Sequence, residues 1–243
     1  MAQINELSEY IKSSLNGDYD YISVLSENAI NTLKLYKHKK LDKKLLLLKT
    51  VYRNDEIFRK LCSYDCKGYL PQIYLVSSEE DALYVVQEYI EGKSAGEADF
   101  ADKSDEAVSC MIDVCRALRI LHSLGIVHRD VKPENVIITP EGRAVLIDLS
   151  IAKTIGDRER PDTVNLGTIG YAAPEQFGFM QSRPETDIYA VGVMLNILLT
   201  GVHPMQDIPK GKLGRIIKKC TSLQINERYS DIEELINDLK KFK

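Results

Sequence analysis

The stretch from His128 to Val136, HRDVKPENV, holds an aspartate, a lysine and an asparagine within six positions. Asp130, Lys132 and Asn135 follow closely on an apolar segment with helical spacing, so the polar cluster is dense for so short a turn. Side chains of these types handle protons, anions and cations. The stretch therefore raises the question of whether it transfers phosphate or is the remnant of a site that once did, and each of these residues taken alone could also be a solvated loop residue.

The composition is that of an ordinary globular protein. The 243 residues are 44% hydrophobic and 28% charged, and this length suits one large domain or two small lobes that share a cleft. The net charge of −4 argues against a nucleic-acid binder, which usually has a basic excess. The N-terminal residues lack the basic and apolar regions of a signal peptide, and the most apolar stretch, IYAVGVMLNILL, is too short to span a bilayer. We therefore expect a cytoplasmic protein with reduced thiols and no membrane segment.

The elements that must position the cluster change in character near residue 92. Before it, helical spacing up to about residue 15 gives way to alternating segments, which predict a mainly antiparallel sheet with one short helix. After it, helical patterns dominate around two short strands. We predict an α+β protein with an N-terminal helix at 1–18, a small β-rich lobe at 19–91 and a larger helical lobe at 92–243.

The individual elements follow from these patterns. The predicted strands of the first lobe are DYISVL, TLKLYKH, KKLLLLKTV, QIYLVSS and ALYVVQEYI, with a helix over NDEIFRKL. The second lobe is predicted to hold the strands NVIIT and AVLID and helices over 105–124, 186–200, about 211–221 and 231–241.

Several motifs stand in an order that resembles a eukaryotic-like protein kinase. HRDVKPENV resembles the catalytic loop H-R-D-L-x-x-x-N, and IDLS at 147–150 stands where the family has D-F-G. GTIGYAAPEQ at 167–176 resembles the end of the activation segment. The resemblance extends over residues 20–241 through TDIYAVGV, which matches the start of the central buried helix, and NERYSD in the closing helices. It implies the bilobal protein-kinase fold. The compactness of the domain and the sequence A-A-P-E-Q at 172–176 suggest a bacterial source.

The resemblance implies a role for each polar residue of the cluster. Asp130 would accept or orient the proton of the attacking hydroxyl, and Lys132 would contact the transferring phosphate. Asn135 and Asp148 would bind Mg²⁺, and Asp148 would also bridge to the phosphates of ATP. Lysine at position 132 resembles the serine/threonine branch of the family. The implied reaction transfers the γ-phosphate of ATP to serine or threonine hydroxyls of a protein substrate.

Supporting residues are implied in the same way. Thr168 resembles the threonine that hydrogen-bonds to the catalytic aspartate and lysine, and Asp187 resembles the aspartate that holds the catalytic-loop backbone. Glu175 matches the acidic residue of A-P-E, for which Arg228 is the expected partner in the closing helices. That pair is expected to be buried, so the loss of one member would leave an unpaired charge.

The small lobe departs from the family pattern. LSENAIN, residues 25–31, stands where the phosphate-covering G-x-G-x-x-G is expected, and no glycine occurs between Gly17 and Gly68. Glycine allows backbone N–H groups to approach phosphates closely, so nucleotide affinity is expected to be reduced or the loop to be held differently. Lys49 is the best match for the lysine that contacts the α- and β-phosphates, with Lys43 and Lys44 as weaker candidates.

Two further features concern the nucleotide. The helix after Lys49 offers no clear glutamate as its partner, since the alignment places Asn54 at that position. QEYIEG, residues 87–92, matches the hinge, in which the backbone of Glu88 and Ile90 would hydrogen-bond adenine.

Two other functions remain open. A pseudokinase, acting as a nucleotide-binding or scaffolding module, is suggested by the missing glycines and the uncertain ion pair. The presence of all four polar residues with an implied catalytic or metal-binding role argues against a pseudokinase, because a scaffold needs none of them. These residues are Asp130, Lys132, Asn135 and Asp148. A small-molecule phosphotransferase of similar fold is opposed by GTIGYAAPEQ, which normally shapes a peptide-binding surface.

Overall fold

The computed structural model describes residues 13, 15, 17–50, 55–79, 82–156, 168, 170–177 and 181–242. The chain divides into two compact units, Met1–Ile90 and Glu91–Lys243. Most of the helix predicted at 1–18 lies outside the described residues, and the described positions 13, 15, 17 and 18 are helical. No helix within these described ranges is long and apolar enough to cross a membrane.

The first unit is a five-stranded antiparallel sheet with one helix. The strands are β1 (Tyr19–Glu27), β2 (Asn31–His38), β3 (Lys44–Thr50), β4 (Ile73–Ser78) and β5 (Leu83–Glu88), in the spatial order β1-β2-β3-β5-β4. Helix α1 (Asp55–Cys62) lies between β3 and β4 in the chain and buries Ile57, Phe58 and Leu61. The predicted β-rich first lobe is thereby confirmed.

The two faces of this sheet have different neighbours, because successive side chains of a strand point to opposite faces. Leu45 and Leu47 of β3 pack with Val86 of β5 and Leu15, and we call this side the Leu15 face. On the other side, Leu48 lies opposite the fully buried Val85.

Helix α1 identifies the second face. The Ser78 hydroxyl donates to Asp55 Oδ2 at 2.5 Å and accepts from Arg59 of α1 at 3.0 Å. Ser78 lies opposite Leu83, two residues from Val85, so its side chain belongs to the side of the sheet that also holds Leu48. We call this side the α1 face.

The second unit is built around a buried helix. Its helices are α2 (Ser104–Ser123), α3 (Pro184–Thr200), α4 (Lys212–Cys220) and α5 (Ile232–Lys240). Helix α3 is buried from Thr186 to Asn196 because its sequence is apolar on all sides. It begins at a proline, whose missing N–H costs nothing there, and ends at Gly201, whose φ of 73° is the left-handed conformation that glycine adopts readily.

Short strands lie before α2 and between α2 and α3. β6 (Lys93–Ser94), β8 (Val136–Ile138) and β9 (Ala144–Leu146) form one small sheet, and β7 (Ile126–Val127) pairs with β10 (Lys153–Thr154). The four observed helices lie within two residues of the predicted ranges at either end. The predicted helical second lobe, and with it the α+β fold class, is confirmed.

Candidate active site

The loop between β7 and β8 is held by a buried carboxylate at the start of α3. Asp187 accepts hydrogen bonds from the backbone N–H groups of His128 at 2.9 Å and Arg129 at 2.8 Å. Its Oδ2 also lies 2.8 Å from Nε2 of His122, near the end of α2. A fully buried carboxylate must find such donors, so Asp187 fixes the backbone immediately before Asp130.

Asp130 lies at the centre of a closed hydrogen-bond ring. Its Oδ2 is 2.7 Å from Nζ of Lys132, which also donates to the Thr168 hydroxyl at 2.7 Å. The Thr168 hydroxyl in turn donates to Asp130 Oδ1 at 2.7 Å. Three predicted site residues, 38 positions apart at the extremes, are therefore brought together with direct contacts.

The hydrogen bonds to Asp130 offset the effect of its burial on the pKa. Burial by itself would raise the pKa of this carboxyl group. Hydrogen bonds from Lys132, Thr168 and Asn135, together with the Lys132 charge, outweigh burial and lower the pKa below its ordinary value. Asp130 is therefore ionised at neutral pH and able to accept a proton.

Asn135 and Asp148 stand at the same end of the β8–β9 hairpin. Val136 lies opposite Leu146, and the N–H of Ile147 donates to the carbonyl of Asn135 at 2.8 Å. Asn135 precedes β8 and Asp148 follows β9 by two residues, so antiparallel pairing places both at this end.

The donor atoms at this end of the hairpin fit a hard divalent cation. The Asn135 amide nitrogen donates to the carbonyl and to Oδ2 of Asp130, each at 2.9 Å, so its oxygen is turned away from them. Within the described part of the chain, nothing donates to that oxygen. Asp148 uses Oδ1 to accept the N–H of Ser150 at 3.0 Å and keeps Oδ2 as an acceptor. Amide and carboxylate oxygens are the ligands that such a cation prefers.

The predicted pair of Glu175 and Arg228 is a buried, bidentate ion pair. The two guanidinium nitrogens lie 2.7 and 2.9 Å from the two carboxylate oxygens, and the side chains are 2% and 0% exposed. Thr186 also donates to the carboxylate at 3.0 Å. Burial would raise the pKa of Glu175, but the hydrogen bonds from Arg228 lower it below its ordinary value. The end of the GTIGYAAPEQ segment is thereby tied to the residues that precede α5.

Two residues of this region were missed in the sequence analysis. Gln176 accepts from the N–H of Ala173 at 2.9 Å and donates to the carbonyl of Arg129 at 2.9 Å. It thereby links GTIGYAAPEQ to the loop between β7 and β8. His122 contacts Asp187, as described above. Gln176 stands inside the quoted GTIGYAAPEQ motif, so its position was a usable signal. Nothing in the spacing of His122 indicated its contact.

Lys49, the predicted phosphate-contacting lysine, lies on the face of the sheet opposite to helix α1. It lies on the Leu15 face with Leu45 and Leu47, opposite Tyr84, and its Nζ is 5.8 Å from the centre of the Tyr84 ring. The side chain is exposed. Helix α1 packs on the opposite face, so no carboxylate of α1 is in position to pair with Lys49. Asn54, the residue aligned with the missing glutamate, lies outside the described residues.

The turn between β1 and β2 is closed by its own side chain. Asn28 Oδ1 accepts hydrogen bonds from the N–H groups of Ile30 and Asn31, both at 2.8 Å. The N–H of Asn28 donates to the carbonyl of Asn31 at 2.9 Å. Three N–H groups of LSENAIN are therefore already bonded within the turn.

The predicted hinge lies at the end of β5. The N–H of Glu88 donates to the carbonyl of Gln72 at 2.9 Å. A hydrogen bond between the Glu88 backbone and adenine would therefore use the carbonyl of Glu88, and it stays a prediction. The N–H of Ile90 donates to no residue that the structure describes, so it remains available to a ligand.

Comparison with known proteins agrees with this geometry. The family model described as "Protein kinase domain" matches residues 22–242. A probable serine/threonine-protein kinase PknB of Lactococcus lactis is 29% identical over 68% of this chain and 30% of its own length. A probable serine/threonine-protein kinase of Clostridium perfringens is 32% identical over 69% of this chain and 28% of its own length. Serine/threonine-protein kinase PrkC of Bacillus subtilis is 27% identical over 95% of this chain and 41% of its own length.

The match defines the family and its extent. The chain spans well under half the length of these bacterial relatives, whose names refer to longer proteins. The resemblance to eukaryotic-like serine/threonine kinase domains is confirmed, because the family model covers nearly the whole sequence. This chain belongs to the protein kinase domain family.

Proposed function

We propose that this domain transfers the γ-phosphate of ATP to serine and threonine hydroxyls of protein substrates. The observation that carries the proposal is the ring of hydrogen bonds among Asp130, Lys132 and Thr168. This arrangement places a proton acceptor beside a cation that can neutralise a phosphate, as phosphoryl transfer requires. The serine/threonine kinase names of the bacterial relatives support the same reaction.

Asp130 acts as the proton acceptor for the substrate hydroxyl. Without substrate, its two oxygens accept from the Thr168 hydroxyl and N–H, from Lys132 and from the Asn135 amide. A carboxylate offers about four acceptor positions, so this one is fully used. A substrate hydroxyl must therefore displace one donor.

Lys132 is the donor that leaves. Its ammonium is the one partner of Asp130 that a phosphate attracts, so movement of Lys132 towards the nucleotide frees Oδ2 for the hydroxyl proton. Thr168 and Asn135 remain in place and orient the carboxylate. The same movement thus couples binding of the phosphate to activation of the acceptor hydroxyl.

The metal ion of the reaction would be Mg²⁺, held by Asn135 Oδ1 and Asp148 Oδ2. When bound, it neutralises charge on the phosphates of ATP. The described residues contain no group of three or more His, Cys, Asp or Glu that could hold a metal ion. Mg²⁺ commonly keeps water ligands and binds substrate phosphates, so phosphate and water oxygens would supply the other ligands beside Asn135 and Asp148.

The proposed function is tested by measuring the transfer of labelled phosphate from ATP to protein. The domain is incubated with Mg²⁺ and γ-labelled ATP, alone and with a generic acceptor such as casein, and the modified residues are located by mass spectrometry. We expect phosphoserine and phosphothreonine, and labelling slower by about 10²- to 10⁴-fold with Asp130→Asn, which keeps the size of the side chain and removes its charge. Absence of transfer by the unaltered domain, or equal transfer by the variant, would contradict the proposal.

A second function is favoured by the first unit. The self-bonded turn at Asn28 and the placement of Lys49 suit a pseudokinase that acts as a nucleotide-binding or scaffolding module. Measuring the shift in melting temperature with Mg²⁺-ATP, together with phosphate transfer, distinguishes the two functions. A shift together with phosphate transfer supports the kinase, whereas a shift without transfer supports the pseudokinase.

A further inference from the structure

We propose that the β-rich unit does not hold the phosphates of the nucleotide: neither Lys49 nor the turn between β1 and β2 is a phosphate ligand. The inference rests on the proposed function, since it concerns how the same ATP is bound. Two independent observations carry it. Lys49 lies on the face of the sheet opposite to α1, whereas the predicted role pairs this lysine with a glutamate of that helix, and the turn is closed by its own hydrogen bonds.

The pairing of β3 sets the direction of Lys49. Lys49 lies opposite Thr32 of β2 and Tyr84 of β5, and the neighbouring Thr50 is buried on the α1 face. A shift of β3 by one residue would move every side chain to the other face. Lys49 would then lie on the α1 face.

Burial makes that shift unfavourable. On the α1 face, the ammonium would meet Leu83 and Val85, both fully buried. Both α1 carboxylates already have partners, since Asp55 accepts from Ser78 and Glu56 pairs with Lys60. An ammonium buried without a dedicated partner is costly, so the observed pairing, with Lys49 in solvent, is favoured.

The turn at Asn28 excludes phosphate for a separate reason. A phosphate-binding loop offers backbone N–H groups that have no other partner. Here the N–H groups of Ile30 and Asn31 donate to Asn28 Oδ1, so a phosphate would have to replace two existing bonds. Glu27, exposed beside the turn, adds a negative charge that repels an anion.

The remaining phosphate contacts come from the second unit. Lys132 supplies a cation, and Asn135 and Asp148 act through the divalent metal. Nucleotide affinity should therefore depend on Asp148 and on the metal, and should be independent of Lys49.

Amine labelling tests the placement of Lys49 without any nucleotide. The domain is treated with a trace of an amine-acetylating reagent, and the rate at each lysine is measured by mass spectrometry. Lys43, which is exposed, and Lys132, which is 19% exposed and hydrogen-bonded, are the fast and slow references in the same sample. We expect the rate of Lys49 to lie nearer that of Lys43. A rate nearer that of Lys132 would overturn the inference and indicate the shifted β3.

Binding measurements test the consequence. A fluorescent ATP analogue is titrated with Mg²⁺ into the unaltered domain, Lys49→Ala and Asp148→Asn. We expect Lys49→Ala to change the dissociation constant by less than about threefold, whereas loss of a charge-assisted phosphate contact would weaken it by about tenfold or more. Any loss above threefold in Lys49→Ala overturns the inference. We expect Asp148→Asn to bind much more weakly.

The two proposals fail differently. If the unaltered domain neither binds the analogue nor transfers phosphate, the proposed function fails, and the labelling rate of Lys49 still decides its placement. If the domain transfers phosphate and Mg²⁺-ATP protects Lys49 from acetylation, the function stands and the present inference is wrong.

Discussion

The polar side chains of the two units are held in different ways. In the second unit, Asp130, Glu175 and Asp187 bind partners 38, 53 and 59 positions away in the chain. In the first unit, Asn28 bonds to residues two and three positions away, and Lys49 lies exposed beside Tyr84. The long-range contacts join separate segments of the chain, whereas the local ones only shape a turn.

This difference explains where the family pattern is kept and where it is altered. A buried carboxylate with several distant partners cannot change alone, because each partner would be left unpaired at a cost. An exposed lysine or a solvent-exposed turn carries no such penalty. The residues proposed to transfer phosphate therefore lie in the region where structure and the proposed function need the same side chains.

The largest effect should come from removing the charge of Asp130. Replacing a proton acceptor typically lowers the rate by about 10²- to 10⁴-fold, so we expect Asp130→Asn to lower kcat within that range. Steady-state phosphorylation assays measure it. Asp42→Asn in the first unit, where the side chain is 93% exposed, is the matched control and should keep full activity. Equal activity of the two variants would remove Asp130 from the chemistry.

The next effect concerns stability. Glu175→Ala would leave the Arg228 guanidinium buried without its carboxylate, and we expect the free energy of unfolding to fall by about 3–5 kcal/mol. Urea denaturation followed by circular dichroism measures this. Arg119→Ala breaks an ion pair of similar length, 2.8 Å, whose side chains are 51% and 46% exposed, and should cost at most about 1 kcal/mol. Similar losses in both variants would contradict the contrast between buried and exposed pairs.

A smaller effect should appear in the pH dependence of stability. The pKa values of Asp130 and Glu175 are lower in the folded protein than in the unfolded chain, so the unfolded state binds more protons in acid. Their contribution is present above the unfolded pKa and is lost as the pH falls through the folded pKa. Glu175→Gln should therefore show a shallower loss of stability in acid than the unaltered domain, in urea titrations at several pH values. A steeper loss would reverse the assignment.

The smallest effect should come from the turn of the first unit. Asn28→Ala removes the acceptor of two backbone hydrogen bonds at an exposed site, and we expect a loss of about 1 kcal/mol in the free energy of unfolding. Asn28→Asp keeps an acceptor oxygen and should be nearly neutral in the same denaturation experiment. If the aspartate variant loses as much stability as the alanine variant, the side-chain acceptor does not close the turn.

Much of the helical unit was predictable from its own residues. The predicted helix at 105–124 is observed as Ser104–Ser123, because a long apolar period leaves little choice of structure. Glu175 and Arg228 could be paired across 53 positions only because each stands in a recognisable motif. Gln176 and His122 escaped prediction, since their contacts arise from the packing of segments that are separate in the chain.

The sequence by itself determined the strand character of β3 and the polar content of HRDVKPENV. It could not decide which way Lys49 points. Four consecutive leucines, Leu45 to Leu48, suit either face of a sheet, so a pairing shifted by one residue leaves the apolar pattern of the strand unchanged. The tertiary structure made that choice, because pairing with β2 and β5 keeps the lysine in solvent and buries Thr50 instead.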